Sequence, residues 1–319
     1  MTANTGAAAD LPAVVAICGP TAAGKARLGR AVAARLGTAV NVCDSVKVYR
    51  GLDVGSAKPD GAARRQVRHE LLDLVDPDEV FSAGDYAHAA WRRIRAGDRL
   101  FVGGTGFYLR SVVVAPSPMP GADVPASEPR RAVFEAAWRA REATTPGSAH
   151  RALAAVDPAT AAAIDPRNVV RVLRALFLCE AAGGPISEIR GRSPPRPRAR
   201  LLTVVLDPGV EAVDRAIERR VTRMREAGFL EEVEKLHAAG YHRGHKAMTS
   251  LGYRQLLDAV EGRCTVDEAF ADVIVRTRKF ARRQRAYLRT QLPGEVIHIA
   301  SPREFPWRRV EALLGREGS

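Results

Sequence analysis

The stretch that most constrains this chain is Gly19-Pro-Thr-Ala-Ala-Gly-Lys-Ala26, which directly follows the apolar run Ala13-Val-Val-Ala-Ile-Cys18. An apolar run of that length reads as a buried strand, and the pattern from Ala26 to Leu36 reads as a helix. A strand feeding a glycine-rich turn that opens into a helix is the context in which Gly-x-x-x-x-Gly-Lys cradles phosphate, because the glycines let backbone N–H groups converge on an anion. The helix N-terminus adds partial positive charge, and Lys25 adds a full one. Gly19, Pro20, Thr21, Ala22, Ala23, Gly24, Lys25 and Ala26 are therefore the candidate phosphate-binding residues. The position after the lysine, where Ser or Thr ordinarily ligates magnesium, is Ala26.

Further β-type runs follow at Ala39 to Cys43, Arg99 to Gly103, Leu201 to Leu206 and Glu295 to Ile299, with helical patterns at Gly84 to Ala96, Val213 to Ala227, Leu230 to Ala239, Tyr253 to Val260 and Val266 to Gln291. Strands alternating with helices predict an α/β fold, a P-loop-type parallel sheet flanked by helices. Ligands collect at the carboxyl ends of such strands, so Asp44, which ends the second run, belongs beside the phosphate cradle. The glycine turn Gly103-Gly104-Thr105-Gly106 falls on the same edge. The segment between, residues 48–82, is punctuated by Gly and Pro and reads as loops that line a site.

A Pro/Ser stretch, Ala115 to Pro129, reads as a boundary, and Arg130 to Gly191 is helical in pattern, broken at Pro146-Gly147 and Asp165-Pro166. Residues 11–115 and 200–300 thus form the catalytic core, 116–199 an inserted helical domain, and 301–319 a C-terminal tail or helix, while residues 1–10 read as a disordered lead.

The formal net charge of +13 points to a polyanionic partner. Basic residues concentrate at Arg167, Arg171 and Arg174, and from Arg276 to Arg289, where helical spacing puts Arg278, Arg282, Arg285 and Arg289 on one face with few acids nearby. Such a face serves either as a solvated surface or as a nucleic-acid grip. Tyr49, Phe107, Tyr108 and Tyr253 can stack on a base, though core packing is the commoner role. The four cysteines lie far apart with no Cys-x-x-Cys pair, which argues against zinc and for a reducing cytoplasm. The N-terminal residues lack a basic leader, and the apolar run is too short for a membrane span.

Taken in order, these motifs resemble the tRNA dimethylallyltransferase (tRNA isopentenyltransferase) family. GPTAAGKA is similar to its donor-phosphate loop, DSVKVYRGLDVGSAKPD to its active-site segment, VRHELLDLVDPDEVFSAGDY to the loop after it, and GGTGFYLR to its second glycine turn. NVVRVLRALFLCEAAGGPISE resembles its insertion helix, and AMTSLGYRQ with TRKFARRQRAYLR its C-terminal signature, so the likeness runs from about residue 13 to 291. The resemblance implies transfer of a dimethylallyl group from dimethylallyl diphosphate to the exocyclic amine of the adenosine 3′ of the anticodon, with Mg2+, by a cytoplasmic monomer that needs no membrane. It implies Asp44 as base, Lys25 and Arg220 as cations on the leaving diphosphate, and Thr105 as a contact to nucleotide or diphosphate. For the tRNA anticodon stem-loop it implicates Asp44, Ser45, Val46, Lys47, Thr105, Arg131, Val170, Arg171 and Arg174, to which the basic face adds Arg278 and Arg282.

The chain departs from the family pattern at Ala26 (usually Thr or Ser), Lys47 (commonly Gln), Arg68-His69-Glu70 (commonly Pro-His-His) and Tyr287 (a Trp). Other readings compatible with the residues are prenylation of a free adenine nucleotide, a catalytically weak tRNA-binding relative, and a nucleotide kinase. The last would ordinarily want the hydroxyl missing at residue 26.

Overall fold

The computed structural model describes residues 11–117 and 124–315. The chain forms two compact units: one takes the described residues up to Val114 and from Pro197 on, the other is Ala115–Arg196.

The first unit is built on six strands, β1 (Ala13–Cys18), β2 (Val40–Cys43), β3 (His69–Glu70), β4 (Leu100–Gly103), β5 (Arg200–Leu206) and β6 (Glu295–Ile299), in the order β3-β2-β4-β1-β5-β6. The pairs with a described register are parallel, with Val15 of β1 opposite Leu100 on one side and Leu202 on the other. Every residue of β1 is buried, as expected of a parallel strand covered on both faces. Its side chains alternate between two cores. Val14, Ala16 and Cys18 join one, and Val15 and Ile17 the other, where they meet Leu28, Val32 and Leu36.

Those last three belong to α1 (Lys25–Leu36), which ends on Gly37 in the left-handed region at φ 59°, its N–H donating to Ala33 and Ala34 carbonyls. In chain order α2 (Gly61–Gln66), α3 (Ala83–Arg95) and α4 (Gly106–Val113) follow. A Ser82/Asp85 capping box starts α3, satisfying two otherwise orphaned N–H groups.

The second unit is helical: α5 (Val124–Thr144), α6 (Ser148–Val156), α7 (Pro158–Ala162), α8 (Val169–Ala182) and α9 (Ile186–Arg192), around a core of its own that includes Leu153, Leu173 and Ile186. The fully buried Asp157 caps α7 by accepting from the Thr160 N–H and hydroxyl, and also takes the Ser187 N–H. Those bonds hold its pKa down to about 2, against the burial that would raise it.

The first unit resumes with β5 and then α10 (Val210–Glu226), α11 (Phe229–Ala238), α12 (Tyr253–Val260), α13 (Val266–Thr290) and α14 (Trp307–Leu314). The 25 residues of α13 bury Ala269, Phe270, Val273, Thr277, Ala281, Gln284 and Leu288, a stripe at three- and four-residue spacing. That stripe carries Gln284 into the site.

Residues 48–82 are more ordered than their punctuation predicts. They hold α2, which buries none of its residues and so carries no apolar stripe, and β3, a polar His-Glu pair too short to show alternation. The second glycine turn opens into α4, a helix the sequence reading omits. Tyr49, Tyr108 and Tyr253 are buried, but Phe107 is 62% exposed and packs in no core, a correction to its expected role. The expected disordered lead, and residues 118–123 of the expected boundary, lie outside the described residues. Among the described residues no helix is long and apolar enough to cross a membrane.

Candidate active site

Three turns leave the carboxyl ends of neighbouring strands: Gly19–Ala26 from β1, Asp44–Lys47 from β2 and Gly103–Thr105 from β4. They meet at close range. A Cβ on Gly103 would lie 1.9 Å from the Cys43 carbonyl oxygen, so only glycine lets β4 end there. Thr105 ties two turns together. Its N–H donates to the Cys43 carbonyl at 3.4 Å, and its Oγ1 accepts from the Ser45 N–H at 3.3 Å.

Asp44 Oδ1 accepts from the N–H groups of Val46 (2.9 Å) and Lys47 (3.3 Å), folding the segment back on its own side chain. Oδ1 is thereby occupied and the carboxylate fixed. Oδ2 accepts no hydrogen bond from the described residues and is available to a substrate proton. In the first turn Ala22 sits at φ 63°, a conformation that costs a non-glycine residue about 1–2 kcal/mol. Lys25 Nζ donates to the Pro20 carbonyl at 3.1 Å.

Two distant helices brace these turns. From α10, Arg220 donates to Thr21 Oγ1 at 3.1 Å and to the Ser56 carbonyl at 3.2 Å. From α13, the buried Gln284 accepts the Thr21 N–H at 2.8 Å and donates to the Gly104 carbonyl at 3.0 Å. A Cβ on Gly104 would lie 2.3 Å from its amide nitrogen. The resulting cleft, about 1280 Å³, is lined by Lys25, Asp44, Lys47, Thr105, Arg220 and Gln284 among others. Thr21, Ala22, Gly24, Ala26, Ser45 and Val46 also face it, whereas Gly19, Pro20 and Ala23 do not.

The segment 53–57 forms another wall. Glu232 of α11 accepts the N–H groups of Asp53 (2.9 Å), Val54 (2.7 Å) and Gly55 (3.1 Å) and the Tyr253 hydroxyl (2.7 Å). That fixes the Ser56 carbonyl for Arg220 and the Ala57 carbonyl for Lys47, whose Nζ donates to it at 2.7 Å. Lys58, 2% exposed, seals the segment through Asp53 (2.6 Å), Asp73 (2.5 Å) and the Tyr49 carbonyl (2.6 Å). Glu232→Gln turns one acceptor into a donor facing N–H groups. It should lower unfolding free energy by about 1–3 kcal/mol in a denaturant titration. An unchanged midpoint would show that the three N–H groups do not need the carboxylate.

The electrostatics of the cleft are positive. Burial, then Arg220, lowers the Lys25 pKa from 10.5 to about 8, with Asp44 opposing. Burial also brings Lys47 to about 8, again with Asp44 opposing and Arg220 adding to the fall. Burial lowers Arg220 as well, although a guanidinium stays charged. Both lysines therefore carry full charge only below about pH 8, and an anion that needs them should bind less well above it. Affinity for an organic diphosphate monoester should fall about tenfold between about pH 7 and 9.5, since each lost cation removes an attraction. A flat profile in calorimetric titrations would show that neither lysine grips the anion.

The donor set does not fit a resident magnesium ion, which prefers carboxylate, phosphate and water oxygens. Ala26 offers no oxygen, the Thr21 hydroxyl is engaged by Arg220, and Asp44 is surrounded by Lys25, Lys47 and Arg220. Among the described residues no three His, Cys, Asp or Glu side chains form a metal cluster.

The basic face of α13 is not the bare row of charge the sequence suggests. Arg278 pairs with Glu218, Arg282 with Asp214 at 3.1 Å, and Arg285 with Asp207 at 2.5 Å. The expectation of few acids nearby is corrected, because α10 and the turn before it bring those acids from about 60 to 80 residues away. The remaining candidates lie in the second unit. Val170 and Arg171 are exposed in the first turn of α8 with Arg174 one turn on, and Arg131 of α5 pairs with Glu135 at 3.5 Å. Gln284 and Glu232 were missed. A polar residue on the buried stripe of α13 is a signal that could have revealed the first, but Glu232 stands among several acids of α11 with nothing to single it out.

Known proteins resemble this chain in sequence and fold. The family model described as IPP transferase matches residues 47–291. A tRNA dimethylallyltransferase of Roseiflexus sp. (strain RS-1) is 42% identical over 286 residues, covering 88% of this chain and 91% of that relative. One from Streptomyces griseus subsp. griseus is 38% identical over 291 residues, 88% of each chain. The full-length tRNA isopentenylpyrophosphate transferase from Bacillus halodurans superposes with a TM-score of 0.62 at 30% identity, covering 94% of both chains. A eukaryotic dimethylallyltransferase acting on tRNA shares the fold at a TM-score of 0.77 and 20% identity, over 94% of this chain and 78% of that one. The chain that folds these three turns into one cationic cleft belongs to the IPP transferase family.

Proposed function

We propose that this protein transfers a dimethylallyl group from dimethylallyl diphosphate to the exocyclic amine of the adenosine 3′ of the anticodon in tRNA. The observation that carries the reading is the meeting of Lys25 and Arg220 with Asp44 in one cleft at the ends of β1 and β2. The allylic carbon–oxygen bond breaks with its electron pair remaining on the diphosphate. Lys25, Arg220 and the N–H groups of the glycine turn are aimed where that charge develops, and pre-aimed charge stabilises a transition state most. The amine nitrogen forms the new bond to carbon. A neutral aromatic amine is far too weak an acid for a carboxylate of pKa about 3.9. Proton transfer to Asp44 therefore accompanies or follows attack, when the nitrogen has become acidic.

The relatives named above are tRNA-modifying enzymes, which supports tRNA as acceptor. Val170, Arg171, Arg174 and Arg131 supply the second unit's contribution to the anticodon stem-loop. Arg278 and Arg282 add to it by exchanging exposed ion pairs for phosphates, which costs little because such pairs are worth about 0–1 kcal/mol. The free state of the four cysteines supports a reducing, cytoplasmic setting. The test is transfer of labelled dimethylallyl diphosphate to unmodified tRNA, with adenosine monophosphate as a parallel acceptor. Label is expected in tRNA alone. Label in the free nucleotide, or in neither, would overturn the reading.

A further inference from the structure

Lys25, Arg30, Lys47 and Arg220 line the cleft, and among the described residues none forms an ion pair. Arginines of the same unit away from the cleft are commonly paired, Arg68 and Arg93 with Asp98, Arg243 with Asp258 and Arg285 with Asp207, and on the cleft's 53–64 wall Lys58 and Arg64 are paired too, with Asp53 and Asp73. The contrast locates a reserve of cationic charge that Asp44 offsets only in part. Arg30 stands one helical turn beyond Ala26 on α1, so it shares the face of the residue that lacks the usual hydroxyl. Its partly buried guanidinium acts on both Lys47 and His69, lowering their pKa values after burial has done so. Lys47 in turn acts on Lys25. The cations thus form one connected field from the glycine turn to the far wall. Crowding like charges away from water is unfavourable, and the penalty is relieved when a polyanion enters.

We infer that Arg30 and Lys47 replace the divalent ion in this chain, neutralising the donor's diphosphate directly so that it binds and departs without magnesium. Together they bring the two positive charges a magnesium ion would, Arg30 from the helix face of Ala26 and Lys47 from the 53–57 wall of the same cleft. The donor's identity in this inference rests on the function proposed above; the anion site itself does not. Bond changes are those already given: the carbon–oxygen electron pair stays with the diphosphate, and side-chain N–H donors meet the new charge.

The experiment measures binding of inorganic diphosphate by calorimetry, in chelator and in magnesium, for the full chain and for Arg30→Ala, Lys47→Gln and Arg30→Lys. The unaltered protein should bind in chelator within about tenfold of its affinity in magnesium, and Arg30→Ala or Lys47→Gln should each lose about tenfold or more in chelator. Magnesium should recover most of that loss, and Arg30→Lys, which keeps the charge, should bind nearly as the unaltered chain does. Binding that requires magnesium in the unaltered chain overturns the inference. So does chelator affinity unchanged in both charge-removing variants. Prenyl transfer to tRNA is followed in parallel. If diphosphate binds in chelator but no label reaches tRNA at any magnesium concentration, the proposed function fails while the anion site stands.

Discussion

Asp44→Asn should lower the single-turnover rate of prenyl transfer by about 10²–10⁴, the range general-base help supplies, while tRNA affinity stays within about twofold. Asparagine keeps an Oδ1 acceptor for the Val46 and Lys47 N–H groups, so the turn survives. What disappears is the free carboxylate oxygen assigned the amine proton in the proposed reaction. Asp44→Ala removes the acceptor as well and should be less stable by about 1 kcal/mol. Equal losses in the two variants would identify proton removal as the cause. Full activity in Asp44→Asn would eliminate Asp44 as base and leave the cleft without a carboxylate fixed for that task.

Lys25→Met should reduce kcat/KM for the donor by about 10²–10³, the usual cost of deleting one pre-aimed donor at a developing negative charge. The same change should raise the thermal midpoint. Burial has lowered the Lys25 pKa to about 8, so folding holds fewer protons there than the unfolded chain, whose lysine titrates near 10.4. The charge penalises the folded state fully below about pH 8, and the penalty vanishes as pH rises past the unfolded value. The stabilisation from methionine should accordingly be largest near neutrality and fade in alkali. A variant that loses donor affinity without gaining stability would place Lys25 in a better-solvated position than its surroundings indicate.

The sheet and the two glycine turns were readable because they are local. β1, the turn and α1 occupy consecutive residues, and an apolar run followed by a helical period fixes each. Asp44 was readable by one further rule, that a strand's carboxyl end faces the ligand. The bracing was not readable. Gln284 reaches Thr21 across 263 positions, Arg220 reaches it across 199, and Glu232 caps residues nearly 180 positions earlier. No periodicity encodes such a pairing. The same holds for Arg278, Arg282 and Arg285, whose charges look bare in one dimension and are matched in three by Glu218, Asp214 and Asp207. β3 escaped for the opposite reason, since two polar residues are too few to carry a pattern.

The hydrogen bonds of Gln284 also set an order of events. The glycine turn leaves the ribosome 263 residues before Gln284, which joins it to the second glycine turn. β1 likewise waits for β5, because the helical unit is made between β4 and β5. Contacts spanning so much sequence are slow to form. The glycine turn of a growing chain therefore lacks this brace until α13 is made. A chain ending before Gln284 would keep Lys25 and Asp44 yet lack the brace that joins the two glycine turns.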